Sequence, residues 1–170
     1  MPIIVISLAI LFSSKGPVIH WSKRIGKDNI IFMMPKFRTM TTNTPDVATH
    51  LLQNPSAYYT PVGKFLRNYS LDELPQFLNV LFGDMSIVGP RPERTQFVNE
   101  FKHDIDGYMQ KHMVKAGITG WAQVNGWRGD TDLSKRIECD LYYINNWSVG
   151  MDIKIIFLTF YKGFISENAK

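Results

Sequence analysis

Residues 70–93 read SLDELPQFLNVLFGDMSIVGPRPE, and the reading of this stretch governs the rest of the chain. A helical pattern starts near Ser70, runs to Phe82 and stops at Gly83. Ser70 followed three residues later by Glu73 is a capping-box pattern, and acids in a first turn suit the helix dipole. Pro75 is tolerable near a helix start but not deep inside one. Gly89, Pro90, Arg91 and Pro92 then form a stiff turn. Arg91, locked between two prolines, has a preset approach and loses little freedom on binding an anion.

On the N-terminal side, His20 to Phe32 alternates loosely and reads as a strand or hairpin around Gly26, Asp28 and Asn29. Pro35 interrupts it. Lys36 and Arg38 follow, two residues apart, so that on an extended strand both face one way. Residues 41–61 are polar, with prolines at 45, 55 and 61, and read as loops around a short helix. On the C-terminal side, residues 93–111 are helix-like, and residues 117–129 are a glycine-rich loop with short strands. In residues 133–147, Leu133, Ile137, Leu141 and Ile144 share one helical face. The class is α/β, a small single catalytic domain with more helix than strand.

Both ends are apolar. Residues 3–12, IIVISLAILF, make a helix about 15 Å long, against a bilayer core of about 30 Å. Such a segment reaches halfway into a membrane without spanning it. A signal peptide lacks its basic leader here, since only Met1 and Pro2 precede the run. A buried core helix and a re-entrant anchor both remain open; Lys15, Lys23, Arg24 and Lys27 follow as a cytoplasmic flank does. Residues 152–164, DIKIIFLTFYKGF, read either as core or as an interfacial amphipathic helix with Lys154 and Lys162 snorkelling.

The formal charge of +4 suits any anionic partner without choosing among them. Two apolar ends, with no RNA-binding aromatic motif or zinc-finger spacing, favour a membrane surface over nucleic acid. One cysteine, Cys139, excludes a disulfide framework and suits a reducing compartment. The four histidines show no metal-ligand spacing.

Asp72 and Glu73, read alone, fit a helix cap. Their company of cations, Arg67, Arg91, Lys36 and Arg38, fits phosphoryl chemistry. One carboxylate can attack phosphorus, and the other can hold a divalent metal against the phosphate oxygens. No glycine-rich phosphate loop of the kinase or ATPase type is present.

The motifs KFRTM at 36–40, SLDELPQFLNVLFGDMSIVGPRPE at 70–93 and GITGWAQVNGWRGDT at 117–131 resemble the bacterial sugar transferases. These are monotopic phosphoglycosyl transferases that use polyprenyl phosphate. The resemblance implies that Asp72 is the nucleophile and Glu73 the second, Mg²⁺-associated member of a dyad, with both as metal ligands. It places Lys36, Arg38, Arg67 and Arg91 at the phosphate site, and Gln123 and Arg128 at the nucleotide-sugar. The implied reaction moves a sugar-1-phosphate from a UDP-sugar to undecaprenyl phosphate through an aspartyl intermediate, with UMP released. It is the first membrane step of exopolysaccharide, capsule or O-antigen (lipopolysaccharide) synthesis. The implied place is the cytoplasmic face of the bacterial inner membrane, with membrane lipid as a partner and no nucleic acid.

Against the family pattern, Pro2 stands at the proline where the re-entrant helix turns back, and Met1 replaces the usual serine before it. The first half of the hairpin is missing, so residues 1–14 are expected to be a partial, truncated re-entrant helix. Residues 15–170 are the expected catalytic domain, including a C-terminal interfacial helix. Ala116 stands where the family usually has proline, which should loosen the loop. The sugar signals are mixed: the stretches from 34 and 44 look like users of N-acetylated sugars, those from 126 and 140 like hexose-1-phosphate transferases. The reading leans to a hexose such as glucose or galactose. A non-catalytic membrane-surface protein of the same fold and a soluble nucleotide-binding domain are the rivals.

Overall fold

The computed structural model describes residues 2–45, 47, 51–101, 105, 107–129 and 131–163. Its α/β architecture has more helix than strand, as the sequence patterns require. The described residues form two compact units. One is built from residues 2–21 and 35–75, the other from residues 22–34 and 76–163.

The first unit opens with α1, Pro2–Ser13. Twelve residues at 1.5 Å each make a helix of about 18 Å. Ser7 Oγ donates to Ile3 O at 2.8 Å, so the one polar side chain of the apolar run is satisfied within the helix. Among the described residues no helix is long and apolar enough to cross a membrane. Ile10 is buried against Phe37 and Leu66, with Ile6, Val18, Val62, Leu71 and Leu74 packed around them. The other side of α1 exposes Ile3, Ile4, Val5, Leu8, Leu11 and Phe12.

Strands β1, Ile19–Ile25, and β2, Ile31–Phe37, form a two-stranded sheet. Their connection is the turn expected around Gly26: Asp28 and Asn29 take left-handed conformations at φ 54° and 61°. Pro35 does not interrupt the strand. It sits buried within β2, which is possible because a two-stranded sheet is all edge and does not demand its N–H. Helix α2, Pro61–Asn68, starts on Thr60, whose Oγ1 accepts from Gly63 N at 3.0 Å.

In the second unit, α3, Phe77–Phe82, ends at Gly83 with φ 86°, the expected stop. Strand β3, Met85–Val88, pairs in parallel with β4, Ala116–Thr119, in the register Met85 to Ala116 and Val88 to Thr119. Ala116 is therefore a buried strand residue opposite Met85, which corrects its assignment to a loosened loop. Between them lie α4, Thr95–Phe101, and a 3₁₀ segment, Tyr108–Met113. Helix α5, Trp121–Val124, is followed by α6, Leu133–Asn145, and α7, Val149–Gly163. The predicted face of α6 holds: Leu133, Ile137 and Leu141 pack with Ile25, Val98 and Tyr108, and Ile144 with Val88, Val124, Tyr143 and Ile155.

Candidate active site

The acidic pair lies on a 3₁₀ helix, Leu71–Gln76, not on an α-helical first turn. Three residues per turn place Leu71 and Leu74 on one side, in the apolar cluster with Ile10 and Leu66. Asp72 and Glu73 occupy the intervening positions and are each only 6% exposed. Burying two adjacent acids is costly unless partners compensate them. Lys36 Nζ on β2 donates to Glu73 Oε1 at 2.8 Å. The backbone at Ser70 departs from the extended conformation usual for a helix cap. Ser70 takes the left-handed region at φ 54°, its N–H donates to Arg67 O at 3.1 Å, and Glu73 N–H donates to Ser70 O at 3.2 Å. The N–H that Glu73 would have reached back to is thus already engaged.

Arg67, on α2, donates from Nη1 to Tyr59 Oη at 2.9 Å, and its guanidinium lies 5.3 Å from the centre of that ring. Gly63 lets α2 come close to the chain after β2: a Cβ there would stand 1.9 Å from Thr39 O. Lys36 and Arg38 part company despite their spacing. Arg38 is buried, donating from Nε to Pro17 O at 2.6 Å and from Nη2 to Ser14 O at 2.9 Å and Gly16 O at 3.4 Å. It fastens the exit of α1, where a cation meets carbonyls left without helical partners.

Arg91, Gln123 and Arg128 belong to the second unit. The turn bearing Arg91 is welded to β4. Gly89 N–H donates to Thr119 O and Gly117 N–H to Pro90 O, both at 2.9 Å. A Cβ on Gly117 would lie 2.1 Å from Gly89 N, and one on Gly120 2.2 Å from Gly89 O, so both positions require glycine for this approach. Gln123 turns its amide back onto Ile118 O at 3.3 Å, and its Oε1 is buried without a hydrogen-bond partner. Arg128 is half-buried in the turn after Asn125.

The profile of the bacterial sugar transferases matches residues 1–166. The chain belongs to the bacterial sugar transferase family. It is 53% identical over 169 residues to a UDP-glucose:undecaprenyl-phosphate glucose-1-phosphate transferase of Escherichia coli K12, covering 96% of this chain and 36% of that protein. A protein of the same name from Klebsiella pneumoniae is 51% identical over 98% of this chain and 37% of its own length. A UDP-N-acetylgalactosamine-undecaprenyl-phosphate N-acetylgalactosaminephosphotransferase of Aeromonas hydrophila is 44% identical over 90% and 37%. The chain thus spans somewhat over a third of the length of these curated relatives.

This sugar transferase chain also holds a charged cluster that the sequence did not announce. Glu93, next to the Pro90–Pro92 turn, accepts at Oε1 from Lys111 Nζ and from Arg136 Nη1, both at 3.3 Å. Asp140 lies 3.8 Å from Lys111, whose side chain is 1% exposed. Burial would raise the Glu93 carboxyl, but Lys111 and then Arg136 outweigh it and hold it below its usual value. Asp140 goes the other way: burial, reinforced by the charge of Glu93, pushes it up to about 6 despite Lys111. Burial and the neighbouring Lys111 push His112 down to about 4, with Nδ1 2.8 Å from Asn29 Oδ1. The partners are 18 to 47 residues apart, from Glu93 to Lys111 and from Glu93 to Asp140, and no short motif contains them.

Proposed function

We propose that this chain is the catalytic part of a phosphoglycosyl transferase that moves a sugar-1-phosphate from a UDP-sugar to undecaprenyl phosphate. The observation that carries the reading is the buried carboxylate pair of Asp72 and Glu73, with Glu73 pinned by Lys36, in a chain of this family. The ion pair divides the labour: Glu73 is held in place, and Asp72 beside it is the attacking group.

In the first step a carboxylate oxygen of Asp72 attacks the phosphorus that bears the sugar. The bond from that phosphorus to the bridging oxygen breaks, UMP leaves with the bridging oxygen, and an aspartyl phosphosugar forms. In the second step an oxygen of undecaprenyl phosphate attacks the same phosphorus, the Asp72 carboxylate leaves, and a polyprenyl diphosphate sugar results. Arg67, on α2 of the same unit as the dyad, supplies positive charge of the kind that an in-line transfer between anions requires.

Mg²⁺ fits the donor set. Asp72 and Glu73 offer hard carboxylate oxygens, and among the described residues no group of three or more His, Cys, Asp or Glu could hold a metal alone. With Asp72 and Glu73 holding Mg²⁺, substrate phosphates would supply further oxygen ligands, as is usual for this ion. When bound, it neutralises the phosphate oxygens.

The exposed apolar residues of α1 support a seat in the membrane. So do those of α3, Phe77, Leu78, Leu81 and Phe82, and the stripe Ile153, Phe157, Phe160 and Tyr161 on α7. The lysines of α7 serve the fold instead of snorkelling: Lys162 Nζ donates to Val124 O at 2.6 Å, and Lys154 lies 5.2 Å over Trp121. The cytoplasmic face of the inner membrane follows from the need for UDP-sugar, and the product suits the start of an exopolysaccharide, capsule or O-antigen chain. A hexose, glucose first, is the proposed sugar.

The test is a UMP-release screen across UDP-sugars, with undecaprenyl phosphate and Mg²⁺ in detergent. UMP from UDP-glucose or UDP-galactose, abolished in Asp72→Asn, supports the assignment; undiminished turnover in that variant overturns it.

A further inference from the structure

One guanidinium in the second unit bonds to two separate loops. Arg136 Nη1 donates to Glu93 Oε1 at 3.3 Å, and Glu93 directly follows the Pro90–Arg91–Pro92 turn. Arg136 Nη2 donates to Gly129 O at 2.6 Å and to Thr131 Oγ1 at 3.3 Å, and Gly129 directly follows Arg128. Each loop thus has an arginine adjoining the point at which Arg136 grips it. The mount is firm on both sides. Ile25 N–H donates to Glu93 O at 3.0 Å, and Lys111 supports the same carboxylate oxygen that Arg136 holds. On α6, Ile137 beside Arg136 is buried, and Asp132 caps the helix by accepting from Ser134 N at 2.8 Å. A single ammonium would balance Glu93 equally well as a charge. Only a planar fork with separately directed N–H groups reaches a carboxylate on one side and a carbonyl on the other.

We propose that Arg136 is a positioning residue that ties the Arg91 turn to the Arg128 loop, so that the two cations meet the diphosphate of the nucleotide-sugar at a fixed separation. This rests on the donor assignment made under the proposed function. Arg136 touches neither substrate nor reacting atoms; it acts through Glu93 and Gly129.

The experiment uses the full chain in detergent and the variants Arg136→Lys and Glu93→Gln. Arg136→Lys keeps the charge beside Glu93 and loses the fork. Its expected signature is a KM for the UDP-sugar raised about ten- to a hundredfold, with kcat changed less than about threefold. Amide exchange at residues 127–129 accelerates, while that of α6 stays as in the unaltered chain. Glu93→Gln, which loosens only the turn side, raises KM in the same direction and leaves exchange at residues 127–129 unchanged. An unaltered KM in Arg136→Lys, a loss confined to kcat, or unaltered exchange at residues 127–129 overturns the proposal. Should the unaltered chain release no UMP from any UDP-sugar, the functional reading fails on its own. The exchange measurement then decides the tie by itself: acceleration at residues 127–129 in Arg136→Lys upholds it, and its absence overturns it.

Discussion

Two buried glutamates among the described residues are paired with lysine, and the two pairs differ in their surroundings. Glu73 meets Lys36 at 2.8 Å, with side chains 8% and 19% exposed. Glu93 meets Lys111 at 3.3 Å, with 11% and 1% exposed, and shares its partner with Asp140. The first pair has a lysine that still touches solvent, and its glutamate adjoins a second buried carboxylate, that of Asp72. The second belongs to a network in which two cations and two acids compensate one another away from water. A buried ion pair is weak evidence for stability, yet removing one member strands the others. The first pair should therefore be felt mainly in turnover and the second mainly in folding.

The strongest way to break the comparison is at the dyad itself. Asp72→Asn should lower UMP release by at least about a thousandfold, while chemical unfolding changes little. Lys111→Met should destabilise by about 3–5 kcal/mol in urea unfolding, since it leaves the Glu93 and Asp140 carboxylates without their shared cation. Lys36→Met should do the reverse: about 1 kcal/mol in urea unfolding, against a tenfold or larger loss in UMP release. Equal unfolding losses for the two lysines would erase the distinction.

The smallest effect is a pH dependence in the buried network. His112 stands at about 4 in the fold against an ordinary 6.5, so the unfolded chain binds the proton more readily. Stability from this group rises with pH between those values. Asp140 stands at about 6 against 3.8, so the folded chain holds its proton longer, and this contribution falls as pH rises across that interval. In the overlap the two oppose. His112→Gln removes only the rising part. Its unfolding free energy, relative to the unaltered chain, should therefore decline as pH climbs from about 4 to 6.5.

What the sequence made legible was what local pattern encodes. The face of α6, the stop at Gly83 and the turn around Asp28 follow from periodicity and backbone preference. Lys36 was singled out near the acidic pair, and the fold places it on Glu73. Arg38 has the same charge two residues on, but its guanidinium closes on Ser14, Gly16 and Pro17. Nothing in the residue type foretells which carbonyls a cation will find. The four-residue strands β3 and β4 are too short for an alternation to show. The Glu93, Lys111, Arg136 and Asp140 network depends wholly on distant segments meeting, which no spacing rule captures.

Leu71 and Leu74 share a cluster with Ile6 and Ile10 of α1. The hydrophobic contacts that seat the first helix are thus also the floor beneath the acidic pair. If α1 lodges in a bilayer, as proposed above, no slack tether would intervene between lipid and carboxylates. The helix would then work as a fixed-length stilt, with the height of Asp72 over the headgroups set by side-chain packing. An enzyme built this way would read lipid depth as strictly as it reads charge. Trimming Ile10 to a smaller residue would change the reach of the active site before it changed its chemistry.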